Sequence, residues 1–394
     1  AIGTAALTQD TLGSRSVAIG QEALSAQNFT TATDSNNTAV GFTAGKLITT
    51  GISNTLIGAN AADALTDADN NIAIGQAALG SDTKGNNSTA LGQNALASQN
   101  FTTSTDTKNT AVGFQSGLFT ATGVGNTFVG NETARGNNSN KLTGNNNTCL
   151  GFQAGYSLQG GGQENVLVGA LAGDTITTGS QNTCVGPVAG GNLTTGARNI
   201  FIGLETGVNT VAVTTGVDNI VIGYQARMNA VDGGNQIAMG KQVTCSGNSN
   251  FTFGAGATDS NIGFGETSIS APSDERYKED IATSTAGLSF IKDLRPVTFK
   301  WKKEKDVPSG HDAYVEGSDT RVMLSNGETN HGFIAQEVKA VIDAHSEIKD
   351  GFGMWTVDER DTTNGRQRLA DGALVPILVK AIQELEARIA TLEG

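Results

Sequence analysis

Residues 1–265 repeat one short phrase: Asn, a β-branched residue, two apolar residues, Gly, two variable residues, then a small one. Instances are NTAVGFTA, NTLIGANA, NIAIGQAA, NVLVGALA and NIVIGYQA. The phrase glycines run from Gly3 and Gly20 to Gly240 and Gly254, and eight of their fourteen intervals are 17 residues and three are 21. A fixed period of this size marks a solenoid with one coil per repeat. It is too short for a pair of helices, and the β-branched content favours strands.

The position before each glycine is large and apolar, from Ile19 through Val112 to Phe253, and the position before that is mostly apolar too, as at Leu56 and Phe201. Adjacent strand residues point to opposite faces. The pattern therefore predicts burial of both faces, one inside the coil and one against another subunit. The repeated Asn has two readings. Stacked coils would align the amides in a ladder, or the Asn would take a left-handed corner. The glycine supplies a bend or a close approach.

Charge divides the chain. Residues 1–272 carry 16 acidic and 9 basic side chains, whereas the shorter stretch 273–394 carries 22 and 16. Both tryptophans lie in the second stretch, and 42 of the 52 glycines lie in the first. A net charge of −13 argues against nucleic acid as a partner. No run of 18 apolar residues exists, so no membrane-inserting helix is expected. The chain opens in mid-repeat, which reads as part of a longer protein. Cys149, Cys184 and Cys245 read as free core thiols, and no CxxC, HExxH or GxxxxGK[ST] motif is present, so neither metal nor cofactor is expected.

SVAIGQEALSA and STALGQNALAS resemble the head repeats of trimeric autotransporter adhesins, which form a parallel β-roll. The adhesin period is shorter than 17, so a two-strand roll with loops and a three-sided β-helix both stay open. In the second stretch, APSDERYKEDI, LSFIKDLRPVTFKWK, HGFIAQEV and LVPILVKAIQELEARIATLE follow one another. These blocks, in this order, resemble the intramolecular chaperone auto-processing domain of phage tail spikes and endosialidases. The resemblance implies a single-turnover serine peptidase in SDERYK, with Ser273 as nucleophile and Lys278 as base. It implies a cut at Pro272–Ser273, with Ser273–Asp274 as the second choice. It also carries a chaperone motif at Phe333, Gln336 and Glu337, and a trimeric state.

The chemistry sets conditions. A serine hydroxyl needs a base, and lysine serves only when neutral, which requires burial or cationic neighbours. Arg276 would supply a cation; Asp274, its companion in the candidate dyad support, would oppose it, as would Glu275, Glu279 and Asp280. Five residues on an ideal helix turn about 140° away, so the dyad needs a turn or a lysine from another subunit. Downstream, Val375, Ile382 and Ile389 fall at heptad a, with Leu378, Leu385 and Leu392 at d. In isolation that choice tends toward parallel dimers; the resemblance implies trimers. His311, His331 and His345 receive no catalytic role, and the lysines around Trp301 read as a solvated strand edge.

The sequence thus predicts a mostly β protein. A trimeric parallel β-roll or β-helix solenoid over 1–265 and a linker at 266–272 precede a small α+β chaperone domain over 273–373 and a coiled-coil helix over 374–394. The expected function is a structural and receptor-binding viral tail fibre or spike, a virion part made in the bacterial cytoplasm and exposed outside. Its partners would be copies of itself, other tail proteins, and a host glycan or protein. The alternatives are a capsule depolymerase acting through a portion outside this sequence, and a cellular adhesin using the same release domain. Phe29 and Phe101 lie in two near-identical stretches, QNFTTATDSNNTAVGF and QNFTTSTDTKNTAVGF. They read either as receptor loops or as lids folded over the coil.

Overall fold

The computed structural model describes residues 1–208, 214–311, 313–323, 327–348, 352–357 and 365–394. The chain forms two compact units, Ala1–Ser273 and Asp274–Gly394. The first is a β-solenoid whose sheet has fifteen strands among the described residues. From Val17–Ile19 to Asn250–Ala255 the neighbours pair in parallel, and the last strand, Thr258–Gly263, turns back antiparallel. Most strands are only three residues long, one per repeat. Successive phrases pair in register, as in Thr38↔Thr55, Ala39↔Leu56 and Val40↔Ile57.

Each coil carries one strand of this continuous sheet, followed by a turn. The turns also bond coil to coil through their backbones, for example Gly45 N–H to Ala61 O at 2.9 Å and Ala62 N–H to Ala78 O at 2.8 Å. Two additional two-residue pairings, Gly13–Ser14 with Thr33–Asp34 and Gly85–Asn86 with Thr105–Asp106, accompany the longer coils.

The phrase glycines do both jobs assigned to glycine. All fifteen have φ between +128° and +144°, a region that residues with a Cβ rarely occupy. They also stack closely: a Cβ on Gly58 would lie 2.6 Å from the carbonyl oxygen of Gly75. The Asn reading resolves to a ladder. The Asn71 backbone N–H donates to Asn54 Oδ1, and Asn54 in turn donates to Asn37 Oδ1, each at 2.9 Å. The Asn side-chain N–H groups donate to carbonyls of the following coil, such as Asn54 Nδ2 to Ala68 O at 2.8 Å. The left-handed corner falls to the residue before each ladder Asn, including Ser53, Asn70 and Asn146.

Only one face of each strand is buried within the chain. The central residue, as at Ala39, Leu56, Phe128 and Phe201, is fully buried. Its neighbours on the other face are exposed or half-buried, with Ile57 at 37% and Leu150 at 47%. Large central residues are accommodated by glycine in the facing turn. A Cβ on Gly117 would meet Phe128 at 2.8 Å, and one on Gly207 would meet Phe201 at 2.6 Å. Cys149, Cys184 and Cys245 are free and buried. Burial pushes the Cys184 thiol up to about 12 and that of Cys149 higher still, so both behave as small apolar groups.

The two near-identical long coils have the same polar interior. Asn37 Nδ2 donates to Gln27 Oε1 at 2.9 Å, and Gln27 Nε2 donates to Asp10 Oδ2 at 2.6 Å. Asn109, Gln99 and Asp82 repeat the chain at 2.8 and 2.6 Å.

In the second unit, α1 (Leu288–Asp293), α2 (Ala335–Ala344) and α3 (Val375–Glu393) accompany two short antiparallel strand pairs. Phe290, Leu294, Val338, Ile342, Met354 and Ile377 share its core. The C-terminal helix is therefore built into this unit: it packs on α1, and Glu384 Oε2 accepts the Leu288 N–H at 2.9 Å.

Gly58→Ala should destabilise the solenoid by about 1–3 kcal/mol, since both its φ and the Gly75 carbonyl oppose a Cβ. Gly161→Ala, which opens onto empty space, should change stability by less than about 0.5 kcal/mol. Denaturant unfolding of the two variants checks the contrast.

Candidate functional site

Ser273 is the last residue of the first unit and is exposed, as are Ala271 and Pro272 before it. The next residues form a single 3-10 turn, Glu275–Tyr277, rather than an α-helix. Asp274 caps this turn by accepting the Arg276 N–H at 2.9 Å, and Lys278 follows it in extended conformation. The turn removes the helical geometry that would send a serine and a lysine five apart to different faces. Lys278 is exposed on the chain.

Arg276 is paired with Asp274, Nε to Oδ1 at 3.0 Å and to Oδ2 at 3.0 Å. The guanidinium holds the Asp274 carboxyl below its usual range. The cation considered as support for a neutral lysine is thus matched by an adjacent carboxylate.

The sequence blocks of this unit come together in space. Val297–Phe299, from LRPVTFKWK, pairs antiparallel with Asn330–Gly332, which leads into GFIAQEV. Arg295 from the first block forms an ion pair with Glu337 from the second, with Nε to Oε2 at 2.9 Å. Phe333 packs against the core, whereas Gln336 on α2 is exposed. Glu337 therefore acts as a tie between blocks. The paired Arg and Glu were both visible in sequence, but their spacing of 42 residues gave no sign of the contact.

His345 was also missed. It follows α2, with Nε2 2.9 Å from Asp293 of α1 and Nδ1 2.9 Å from Glu347. Its ring meets Phe290 edge-on at 5.3 Å. Hydrogen bonding to Glu347, then to Asp293, raises its pKa above the ordinary 6.5.

The heptad positions of α3 face away from its own core. Val375, Ile382 and Ile389 are 59%, 64% and 52% exposed, and Leu378 and Leu385 are 41% and 44% exposed. Leu392 is more exposed still, while Ile377 and Ala381 are buried. The helix thus has one face in the unit and a second apolar face without cover in the chain.

Phe29 and Phe101 are correspondingly corrected as candidate contact residues. Their rings are 5% and 7% exposed, so they lie within the coil like lids and do not project. The reason is local: Asp82 accepts the Phe101 N–H at 3.0 Å, which draws this loop into the polar interior of its coil. No group of three or more metal-ligating side chains occurs among the described residues, and no helix among them is long and apolar enough to cross a membrane.

Residues 273–347 match the Peptidase_S74 family, described as the chaperone of endosialidase. No curated protein and no solved structure is detectably similar to the chain. The family implies a self-cleaving chaperone domain, and together with the β-solenoid it fits a tail-spike-like protein.

The His345 pairing gives a pH dependence. A raised folded-state pKa contributes stability that is fully present below about 6.5 and is lost as pH rises through the folded value. Thermal unfolding of the second unit should therefore occur at lower temperature at pH 8.5 than at pH 6. His345→Gln should flatten that difference, and an unchanged slope in the variant would contradict the assignment.

Proposed function

We propose that the chain is a homotrimeric viral tail spike or fibre whose C-terminal unit drives assembly and then releases itself by cleavage at Ser273. The observation that carries the reading is the coincidence of two boundaries. The family match begins at residue 273, and the compact units meet between Ser273 and Asp274. A cut before Ser273 would separate the units without breaking either core.

In this mechanism Ser273 Oγ attacks the carbonyl carbon of Pro272 as Lys278 Nζ takes its proton. The tetrahedral intermediate collapses as Lys278 Nζ returns the proton to the Ser273 nitrogen, which leaves as an amine. Water then hydrolyses the resulting ester between Pro272 and Ser273 Oγ to a Pro272 carboxylate and a free serine hydroxyl. A lysine with its ordinary pKa is charged at neutral pH and cannot serve as base. Lys278 is exposed on the single chain, so its desolvation would come from neighbouring subunits. Cleavage is thereby tied to assembly. Phe333, Gln336 and Glu337 have no chemical role in this scheme; Phe333 and Glu337 hold the chaperone fold together, and exposed Gln336 is available to a neighbour.

Trimerisation draws on two uncovered apolar faces, the heptad face of α3 and the outward face of the solenoid sheet. The same reading assigns the solenoid to the virion and to host attachment, with contacts made by exposed loop residues rather than by the buried Phe29 and Phe101.

Intact-mass measurement of the expressed protein should show residues 1–272 and 273–394 as separate chains. Ser273→Ala and Lys278→Ala should each leave a single chain, and processing of either variant at the normal rate would exclude the dyad.

A further inference from the structure

The outward face of the solenoid sheet is not uniform. Thirteen parallel strands, from Val17–Ile19 to Gln236–Lys241, present two outward positions flanking the buried central one. The second outward position is aliphatic throughout this stretch, or Met in the last strand. The first changes along the stack. It is Thr in six of the eight strands up to Thr148–Leu150, and in only one of the five from Val166–Val168 onward.

The residue just after the phrase glycine follows the same trend. It is Gln or Asn in four of seven coils up to Asn131, then Phe152, Ala170, Pro187, Leu204 and Tyr224 in succession, with Lys241 closing the series in the last coil. The trend culminates in two adjacent coils, where Ile200, Ile202 and Leu204 adjoin Ile220, Ile222 and Tyr224. Ile202, Leu204 and Tyr224 remain 38%, 43% and 42% exposed on the chain.

No charged residue flanks the buried central residue in these thirteen strands, although the chain carries a net charge of −13; the one charge on this face is Lys241, at the end of the last strand. Two copies of this face can therefore meet without like-charge repulsion, which the remaining acidic surface would impose. At about 4.8 Å per strand and about 10 Å across, the face offers on the order of 600 Å². With the residues beyond the glycines it approaches the ~800 Å² per partner of a stable protein interface.

We propose that a second copy of this chain covers the face, and that contact begins over coils 200–239 and closes afterwards toward the threonine-bearing N-terminal coils. This rests on the homotrimer reading and adds to it an order of assembly. Apolar area sets the early association free energy, and the aliphatic coils supply more of it per coil than the Thr-bearing ones. The threonines keep the β-branched shape of a strand while weakening premature pairing of coils that look alike.

The test uses the full chain with Ser273→Ala, so that the assembly unit stays attached. One variant adds Ile200→Thr with Ile220→Thr; its matched control adds Val17→Thr with Ile72→Thr. Thr already occupies this position in seven strands, so the coil accommodates it, and circular dichroism of both variants against the parent checks the fold. After dilution from denaturant, trimer appearance is followed by light scattering. The Ile200/Ile220 pair should slow it by roughly tenfold or more, and the Val17/Ile72 pair by less than about twofold. Equal slowing, greater slowing by the control, or no slowing by either would overturn the proposed order while leaving the trimer intact. A parent protein that stays monomeric would overturn the trimer reading itself, and the inference with it.

Discussion

The first unit is governed by the approach of one phrase glycine to the next. With φ near +130° and no room for a Cβ against the following carbonyl, each glycine fixes where its coil bends and how closely the next can lie. Once that spacing is set, the strands fall into register and the Asn side chains reach the backbone of the next coil. The buried central residue then meets a turn whose size complements it, Gly117 beneath Phe128 and Gly207 beneath Phe201. The outward apolar face is a consequence of the same spacing, because every coil places its aliphatic residue at the same height on the sheet.

A stack built on one repeated contact is stable along its axis but poor at distinguishing one coil from the next. The duplicated polar interiors at Asp10–Gln27–Asn37 and Asp82–Gln99–Asn109 show how far this goes: even the exceptions come in a matched pair. A subunit could align with its neighbour one duplication out of phase with little local cost. An assembly unit with a non-repetitive core solves this, because Phe290, Val338, Ile342 and Met354 have one arrangement. On the proposed reading, the exposed heptad face on α3 would bring the chains together at a fixed end and raise their effective concentration. Removing that unit after assembly would make unfolding hard to reverse, and the persistence of the product would then rest on the height of its unfolding barrier, which is kinetic rather than equilibrium stability.

The solenoid was legible in sequence because its constraint is periodic: a spacing of 17 residues, one glycine and one apolar pair suffice to give strands, parallel pairing and the inward face. The choice between Asn as ladder and Asn as corner was not legible, since the amide suits both; the preceding residue, often itself Asn, takes the corner instead. Buried left-handed residues such as Leu24, Leu79 and Leu96 were also hidden, because nothing in a leucine announces φ near +50°. The second face of the strands was expected to lie against another subunit, and within the chain it is uncovered, as that expectation requires. In the second unit the blocks were legible as a set, while their ties were not. Arg295–Glu337 and Asp293–His345 join residues 42 and 52 apart in sequence, which only the packing of the unit brings together.

The central claim is that the C-terminal unit supplies the register that the solenoid lacks, and that its loss makes assembly irreversible. The most direct measurement is a refolding comparison of the uncleaved Ser273→Ala chain with the cleaved 1–272 product. Each is fully unfolded in denaturant, diluted, and analysed for trimer content by light scattering. The account predicts that the uncleaved chain regains trimers while the cleaved product, though slower to unfold at the outset, returns as monomers and misaligned aggregates. Recovery of native trimers by residues 1–272 alone, at the rate of the uncleaved chain, would contradict it.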